Sequence, residues 1–306
     1  MGRALVLMSP AAGRSGDPSR REQLAAAIQS SLETRGFTAE FPTTTSAADA
    51  SERMRDAVAH GCDLVVVAGG DGSVRLGVGA VAGTGVPLGI VPLGTGNILA
   101  AVLGIPRDPM KAAKQLATAE PRTIDSGVLS SDGIREPFAI AAGSGIDARV
   151  MQGTGSRTKA RFGVLAYFAT IARMLPSLPV SETEIVVDGR TFNLPTVAVL
   201  VANCGQIIPG LLGPRSQLDP ADGVLDVVAI RGGTWATKLP RAAMAGLDAL
   251  LRAEPGIGGP SLRLPGRSIS VTTNPAEPVQ VDGDLLPGVG SSFRAEIRPR
   301  SLTVLV

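Results

Sequence analysis

Residues 64 to 73, Leu-Val-Val-Val-Ala-Gly-Gly-Asp-Gly-Ser, decide the fold of this chain. The first five residues form an uninterrupted apolar run, which is typical of a parallel strand that is buried on both faces. A helix is expected to begin near Val74, with its first amides pointing towards an anion such as phosphate. Three glycines between strand and helix let the backbone approach a ligand and adopt positive φ angles: Gly69, Gly70 and Gly72.

Asp71 is the one carboxylate in this turn, and Ser73 follows it closely. A carboxylate would repel a bare phosphate, so the turn indicates a divalent cation between Asp71 and phosphate oxygens. Glycine-rich turns also join strands to helices in α/β proteins that bind no nucleotide. A surface aspartate in an ordinary turn is therefore the alternative interpretation.

Two further turns of this kind flank the central one in sequence. The apolar strand Ala4 to Met8 leads into Ser9-Pro-Ala-Ala-Gly13, and the strand Val86 to Val91 leads into Pro92-Leu-Gly-Thr-Gly-Asn97. Asn97 is predicted to be the N-cap of a helix that begins near Ile98. This alternation predicts an α/β domain with a doubly wound parallel sheet, whose ligands bind at the carboxyl ends of the strands. The two glycine-rich turns on that edge, with a carboxylate and a threonine hydroxyl, favour a shared phosphate site.

The alternation of strands and helices ends near Asp125, where we place the domain boundary. Helical patterning in the second half is limited to about 160–175 and 235–251, and the remaining segments have the pattern of antiparallel strands. The sequence therefore predicts an α/β domain at residues 1–125 and a β-rich antiparallel sandwich at 126–306. The terminal strand, Leu302 to Val306, is a candidate to return to the first domain.

Composition excludes several classes of function. The chain has 306 residues and 44% hydrophobic content, which suits two domains, and its 29 Lys and Arg against 27 Asp and Glu argue against a nucleic-acid partner. Cys62 and Cys204 form no close pair, so we expect no disulfide framework or zinc site and a reducing, cytoplasmic environment. The only histidine, His60, is expected at a helix end, which removes Ser-His-Asp chemistry.

Beyond these patterns, specific motifs resemble the diacylglycerol kinase catalytic domain family, which includes bacterial lipid kinases and sphingosine kinases. The resemblance rests first on the pairing of Gly69-Gly-Asp-Gly-Ser73 with Pro92-Leu-Gly-Thr-Gly-Asn97. It extends through Gly145-Ile-Asp-Ala148, Leu218 to Asp226 and Val281-Asp-Gly-Asp284. The resemblance implies that the first domain binds ATP and that a lipid hydroxyl, diacylglycerol or sphingoid-like, receives the γ-phosphate between the two domains.

The resemblance also implies roles for individual residues. Asp71 would hold the catalytic Mg²⁺, Asp284 would be the general base, and Asp219, Asp222 and the Val224 carbonyl would bind a structural Mg²⁺. Backbone amides from Gly69 to Ser73 and from Gly94 to Asn97 would cradle the phosphates. The full set of expected ATP-binding residues is Ser9, Gly13, Gly69, Gly70, Gly72, Ser73, Gly94, Thr95, Gly96 and Asn97.

The chain departs from the family pattern at two positions that bear on catalysis. Ile98 stands where the family often has an aspartate, and Asp284 stands where it has a glutamate. These departures keep open a regulatory nucleotide-binding module with weakened catalysis. An NAD kinase is the other alternative, although its Asn-Glu motif is replaced here by Asn203-Cys204.

Contact with a membrane is predicted from a basic segment in the second half. The stretch from Ala148 to Arg161 contains Arg149, Arg157, Lys159 and Arg161 and no acidic residue, so anionic headgroups would attract it. A solvated helix face is the alternative. We expect a cytoplasmic protein, peripheral at the inner face of the membrane, with ATP and a lipid as partners and a homodimer left open.

Overall fold

The computed structural model describes residues 1–9, 18–145, 179–204, 219–232 and 261–306. The chain divides into two compact units, Met1–Ser126 with Arg300–Val306, and Gly127–Pro299. The separate roles predicted for residues 1–125 and 126–306, ATP binding and lipid binding, stay a prediction.

The first unit is a parallel sheet with helices between its strands. Four strands follow the order β2-β1-β3-β4 and are parallel throughout. The end of a fifth, β15 (Ser292–Leu305), extends the sheet because Val304 pairs with Leu88 in parallel. The predicted doubly wound fold is confirmed. The other elements of this unit are β1 (Gly2–Met8), α1 (Pro18–Thr34), β2 (Phe37–Glu40), α2 (Ala47–Ala59), β3 (Leu64–Gly69), α3 (Asp71–Val81), β4 (Leu88–Pro92), α4 (Ile98–Val102), α5 (Pro109–Gln115) and β5 (Pro121–Ser131).

The apolar run of β3 lies at the centre of this sheet, between β1 and β4. All six of its residues are buried. Burial of a valine side chain stabilises a fold by about 1.5–3 kcal/mol, so Val65, Val66 and Val67 together favour this central position strongly. The strand passes into α3 with only Gly70 between them, and the helix begins at Asp71 rather than near Val74 as expected.

The ends of α2 follow the capping rules. Ser46 is the N-cap, and its side chain accepts a hydrogen bond from the amide of Asp49. His60 is the C-cap, and its Nδ1 lies 2.7 Å from the Asp56 carbonyl oxygen. The histidine therefore has the structural position that its place in the sequence predicted.

The second unit is built from antiparallel strands. The central strand is β9, whose first half pairs with β8 and whose second half lies between β7 and β10. This arrangement confirms the predicted β-sandwich class. Its strands, besides parts of β5 and β15, are β6 (Ile134–Phe138), β7 (Ala141–Gly145), β8 (Ser181–Val187), β9 (Arg190–Ala202), β10 (Leu225–Arg231), β11 (Ser261–Gly266), β12 (Ser268–Asn274), β13 (Val279–Val281) and β14 (Asp284–Leu286).

Alternation of side chains fills the core of the second unit. In β8, every second residue from Ser181 to Val187 is buried, as expected for a strand with one face on a core. Phe138, Ile185, Leu225 and Val271 are among the fully buried members of this core. Within the described residues, no helix is both long enough and apolar enough to cross a bilayer.

Candidate functional site

Two predicted turns and Ser9, the first residue of the third, meet at the carboxyl ends of β1, β3 and β4. The Ser9 amide donates to the Ala68 carbonyl at 2.9 Å, and the Leu93 amide donates to the Gly69 carbonyl at 2.9 Å. The structure therefore brings Ser9, Gly69 and the turn after β4 together. Gly13 lies outside the described residues.

The glycines of these turns allow two turns to touch one another. A Cβ atom on Gly94 would lie 2.7 Å from the Cα of Gly70, and one on Gly96 would lie 2.5 Å from Oδ2 of Asp71. The prediction of positive φ angles at Gly69, Gly70 and Gly72 is wrong, because none of these glycines has a positive φ. These two turns require glycine for close packing rather than for a left-handed backbone.

Asp71 joins the central turn to the turn after β4. Its Oδ2 accepts a hydrogen bond from the amide of Asn97 at 2.8 Å, and its Oδ1 accepts one from the amide of Ile98 at 2.7 Å. Both carboxylate oxygens thus bind the beginning of α4. Each oxygen keeps a second lone pair, so these bonds still allow the carboxylate to contact a cation.

Asn97 lies at the N-cap position of α4, but it does not cap the helix with its side chain. Its backbone is left-handed, with φ 49°. Its Oδ1 accepts from the Gly94 amide at 2.9 Å and its Nδ2 donates to the Gly94 carbonyl at 2.7 Å. The predicted capping role is corrected: Asn97 closes its own turn, and Asp71 binds the first amides of the helix.

These bonds reduce the number of backbone amides that remain available to bind phosphate. The amides of Gly94 and Asn97 already have partners within the protein. Val74 donates the first hydrogen bond within α3, so the amides of Asp71, Gly72 and Ser73 have no partner inside the helix. Gly94, Thr95 and Gly96 are exposed, and Asp71 and Ser73 are half-buried. Among the described residues of these two turns, the amides left to bind a ligand are those at the start of α3 and those of Thr95 and Gly96.

In the second unit, the predicted base Asp284 is the first residue of β14 and is half-buried. Directly before it, Asp282 and Gly283 form a turn in which both residues have positive φ, 46° and 88°. Asp282 is 8% exposed, and its carboxylate accepts hydrogen bonds from the amides of Ala139, Ile140 and Ala141. The family resemblance implied no role for Asp282, although an Asp-Gly pair between two short apolar runs is the signal of such a turn.

The predicted structural magnesium site consists of two exposed aspartates in consecutive turns. Asp219 Oδ1 accepts from the Ala221 amide at 3.0 Å, and Asp222 Oδ1 accepts from the Val224 amide at 3.1 Å. Such bonds are typical of aspartates that stabilise turns. Across the ranges that the structure describes, no group of three His, Cys, Asp or Glu side chains could hold a metal ion.

Asn203 and Cys204 are buried at the end of β9. Asn203 Nδ2 and Cys204 Sγ both donate to the Ala139 carbonyl oxygen, at 2.9 and 3.1 Å. Burial raises the pKa of the Cys204 thiol above its ordinary value, and the charge of Asp282 raises it further. The basic residues Arg149, Arg157, Lys159 and Arg161 lie outside the described residues.

The doubly wound unit with its Gly-Gly-Asp-Gly turn and the antiparallel sandwich unit each match a known family model. Residues 3–129 match the family model of the diacylglycerol kinase catalytic domain. Residues 140–306 match the model of the YegS C-terminal NAD kinase beta sandwich-like domain. The chain belongs to the diacylglycerol kinase family, whose members are lipid kinases and hence phosphotransferases. The resemblance found in the sequence is confirmed.

Individual relatives support the same assignment. A diacylglycerol kinase of Bacillus subtilis is 32% identical over 250 residues, which cover 80% of this chain and 79% of that protein. A diacylglycerol kinase of Mycobacterium tuberculosis is 32% identical over 195 residues, 63% of this chain and 62% of that protein. The crystal structure of a diacylglycerol kinase from Bacillus anthracis shares the fold, with 20% identity and a TM-score of 0.75 over 99% of this chain and 96% of that chain.

Proposed function

We propose that this protein transfers the γ-phosphate of ATP to the hydroxyl group of a lipid, with magnesium. The observation that carries the proposal is the joining of two glycine turns by Asp71, in a chain that belongs to a lipid kinase family. Phosphoryl transfer depends mainly on positioning and on neutralising charge. A rigid pair of turns at the carboxyl edge of a parallel sheet suits both needs.

The nucleotide would bind through backbone amides and hydroxyl groups. The amides of Asp71, Gly72 and Ser73 lie at the positive end of the α3 dipole, which favours phosphate oxygens. Thr95 and Gly96 are exposed on the neighbouring turn, and the Thr95 hydroxyl would donate a further hydrogen bond. Ser9 and Gly13 would complete the edge of the site.

The residues at this site fit a magnesium ion that is bound mainly by the phosphate oxygens of the nucleotide. Asp71 is a single carboxylate at the start of α3, where the first amides of the helix have no partner inside it, and Mg²⁺ commonly takes one or two protein carboxylates with phosphate oxygens and water. Bound Mg²⁺ supplies neutralisation of the phosphate charge. Asp219, Asp222 and the Val224 carbonyl remain candidates for a second, structural ion.

Asp284 would accept the proton of the lipid hydroxyl. An aspartate is one methylene shorter than the glutamate of the family pattern, and a general base must approach its proton donor to about 2.6–3.2 Å. Transfer therefore requires that the acceptor hydroxyl reach Asp284 more closely. General-base catalysis typically contributes about 10²- to 10⁴-fold, so the carboxylate is essential to this proposal.

Asn203 and Cys204 favour a lipid over NAD as the acceptor. The resemblance to NAD kinases would require a glutamate after Asn203, and the chain has a buried thiol there. A buried thiol that donates to the Ala139 carbonyl offers no carboxylate to a nucleotide acceptor.

The test is a screen for consumption of radiolabelled ATP against four acceptors: diacylglycerol, a sphingoid base, undecaprenol and NAD. We expect label in a lipid product, dependent on Mg²⁺, and none in NADP. Label in NADP would favour the NAD kinase. ATP binding without transfer to any of the four would favour the regulatory module.

A further inference from the structure

The proposed base, Asp284, stands directly after a tight hairpin turn. Strands β13 and β14 pair with Val281 opposite Asp284, and the two residues between them are Asp282 and Gly283. Both have positive φ, 46° and 88°, which is the geometry of a two-residue hairpin turn with Asp-Gly. The position of the Asp284 backbone therefore depends on how this turn is held.

The carboxylate of Asp282 holds the turn against the segment that begins β7. Oδ2 accepts from the Ala139 amide at 3.0 Å, and Oδ1 accepts from the amides of Ile140 and Ala141, each at 2.9 Å. The Asp282 amide donates in return to the Ala141 carbonyl at 2.8 Å. Three amide donors on a carboxylate that is only 8% exposed make a strong, charge-assisted attachment.

The residues on either side of the Asp282 contact are also held by hydrogen bonds. Gln280 is 4% exposed, and its Oε1 accepts from the Gly283 amide at 2.8 Å. On the other side, Asn203 Nδ2 and Cys204 Sγ donate to the Ala139 carbonyl. Both the turn and the segment that it binds are thus anchored in the buried part of the second unit.

We propose that Asp282 is a positioning residue for phosphoryl transfer, because its buried carboxylate fixes the hairpin that presents Asp284 to the acceptor hydroxyl. The inference rests on the proposed function, in which Asp284 is the general base. A displacement of about 1 Å at a reacting group can cost on the order of 10²-fold in rate, so a loosened hairpin lowers kcat while nucleotide binding persists.

A second Asp-Gly turn in the same unit provides a matched control. Asp188 and Gly189 join β8 to β9 with φ angles of 46° and 83°. The Asp188 carboxylate accepts from the amides of Arg267 and Ser268, at 3.0 and 2.8 Å. The backbone geometry is the same, but the strand after it carries Arg190 instead of the proposed base. Asp188→Asn therefore disturbs an Asp-Gly turn of the same geometry that does not position Asp284.

The test is a double-mutant cycle that measures kcat and the KM for ATP in Asp282→Asn, Asp284→Asn and the double variant, with Asp188→Asn alongside. Asp282→Asn places an amide donor opposite amide donors. We expect kcat to fall on the order of 10²-fold, the KM for ATP to stay within about twofold, and no further loss in the double variant, because residues that act as one unit are non-additive. Asp188→Asn should retain kcat.

Two results would overturn the inference without contradicting Asp284 as the base. One is an unchanged kcat in Asp282→Asn. The other is an equal fold-loss in kcat when Asp282→Asn is introduced into the wild type and into Asp284→Asn, which would indicate general damage to the unit. Full transfer in Asp284→Asn would instead contradict the proposed base, and with it this role of Asp282. If Asp282→Asn does not fold, Gln280→Leu enters the same cycle, since it removes the bond to the Gly283 amide and leaves the Asp282 carboxylate in place.

Discussion

Asp71 has one observed role and one proposed role, and an experiment can separate the loss of each. As a proposed magnesium ligand, it would set the concentration of Mg²⁺ that the reaction requires. As the acceptor of the Asn97 and Ile98 amides, it holds the turn after β4 in place. A substitution that removes the charge but keeps the shape affects both functions, and their signatures differ.

We predict that Asp71→Asn lowers turnover by at least about 10²-fold and raises the Mg²⁺ concentration needed for half-maximal rate. The amide Nδ2 would face a backbone donor at a half-buried site, where an unsatisfied donor costs up to about 1–3 kcal/mol, so the free energy of unfolding also falls. Initial rates over a magnesium titration, together with urea unfolding, measure the two effects.

Asp108→Asn is the control for Asp71→Asn. Asp108 is the N-cap of α5, where its side chain accepts from the Lys111 amide at 2.8 Å. Asparagine caps helices as well as aspartate does, so turnover should be retained. Wild-type turnover of Asp71→Asn at limiting Mg²⁺ would show that the metal role is wrong.

We predict that Cys204 makes the free energy of unfolding depend on pH. Burial raises the pKa of its thiol in the native state, and a thiol in the unfolded state titrates near about 8.5. Above that pH the unfolded state releases a proton that the native state keeps, so the free energy of unfolding falls, by up to about 1.4 kcal/mol per pH unit. Cys204→Ala should remove this part of the slope in urea unfolding between pH 7 and 10; equal slopes in both proteins would argue against it.

At the scale of elements, the turns after β3 and β4 behave as one unit. We predict that Gly96→Ala weakens ATP binding by about tenfold or more, equivalent to about 1.4 kcal/mol. The added Cβ would lie 2.5 Å from Oδ2 of Asp71, so the carboxylate must move away from the Asn97 amide or the two turns must separate. Isothermal titration with a non-hydrolysable ATP analogue measures the change.

Gly85→Ala separates this effect from the general cost of replacing a glycine. Gly85 has φ 82° and no atom within 4 Å of an added Cβ, so the substitution strains the backbone away from the turns. It should lower stability while ATP affinity stays unchanged. Unchanged affinity in Gly96→Ala as well would mean that contact between the turns does not shape the nucleotide site.

Elements with strong periodicity could be predicted from the sequence, and elements that depend on their partners could not. The apolar run of β3 is a local signal, and this strand is present as predicted. The strand β7 reads Ala-Ala-Gly-Ser-Gly, which has low strand propensity. It forms because β9 and β13 supply its hydrogen bonds from distant parts of the chain.

The same limit applies to the candidate site. The sequence identified the three turns because glycines and one carboxylate mark them locally. It could not show that Asp71 binds α4 or that Asp282 binds the start of β7, since those partners lie 26 and 143 residues away. Hydrogen bonds over such separations depend on the completed fold rather than on any local motif.

For the molecule as a whole, charge is nearly balanced, with a formal net charge of +2. Attraction to an anionic membrane must then come from a local cluster, and the acid-free stretch around Arg157, Lys159 and Arg161 is the candidate in the sequence. We predict that changing these three residues to Gln weakens binding to phosphatidylserine vesicles by about 3 kcal/mol, at about 1 kcal/mol per charge. Co-sedimentation at rising salt measures it, since screening weakens such binding.

A second triple variant, with Arg107, Lys111 and Lys114 changed to Gln, removes the same charge from the segment that contains α5. It should bind vesicles nearly as well as the wild type. Equal losses in both triple variants would point to net charge, and binding that is independent of salt would contradict the electrostatic account.

The central claim is that this lipid kinase family member is an active kinase in which Asp284 is the base. It is tested most directly by transfer of label from [γ-³²P]ATP to diacylglycerol in the wild type, Asp284→Asn and Asp284→Glu, with ATP binding measured in parallel. We predict that Asp284→Asn binds ATP but loses about 10²- to 10⁴-fold in transfer, and that Asp284→Glu retains or exceeds the wild-type rate. A wild type that binds ATP without labelling lipid, with no gain in Asp284→Glu, would contradict the claim.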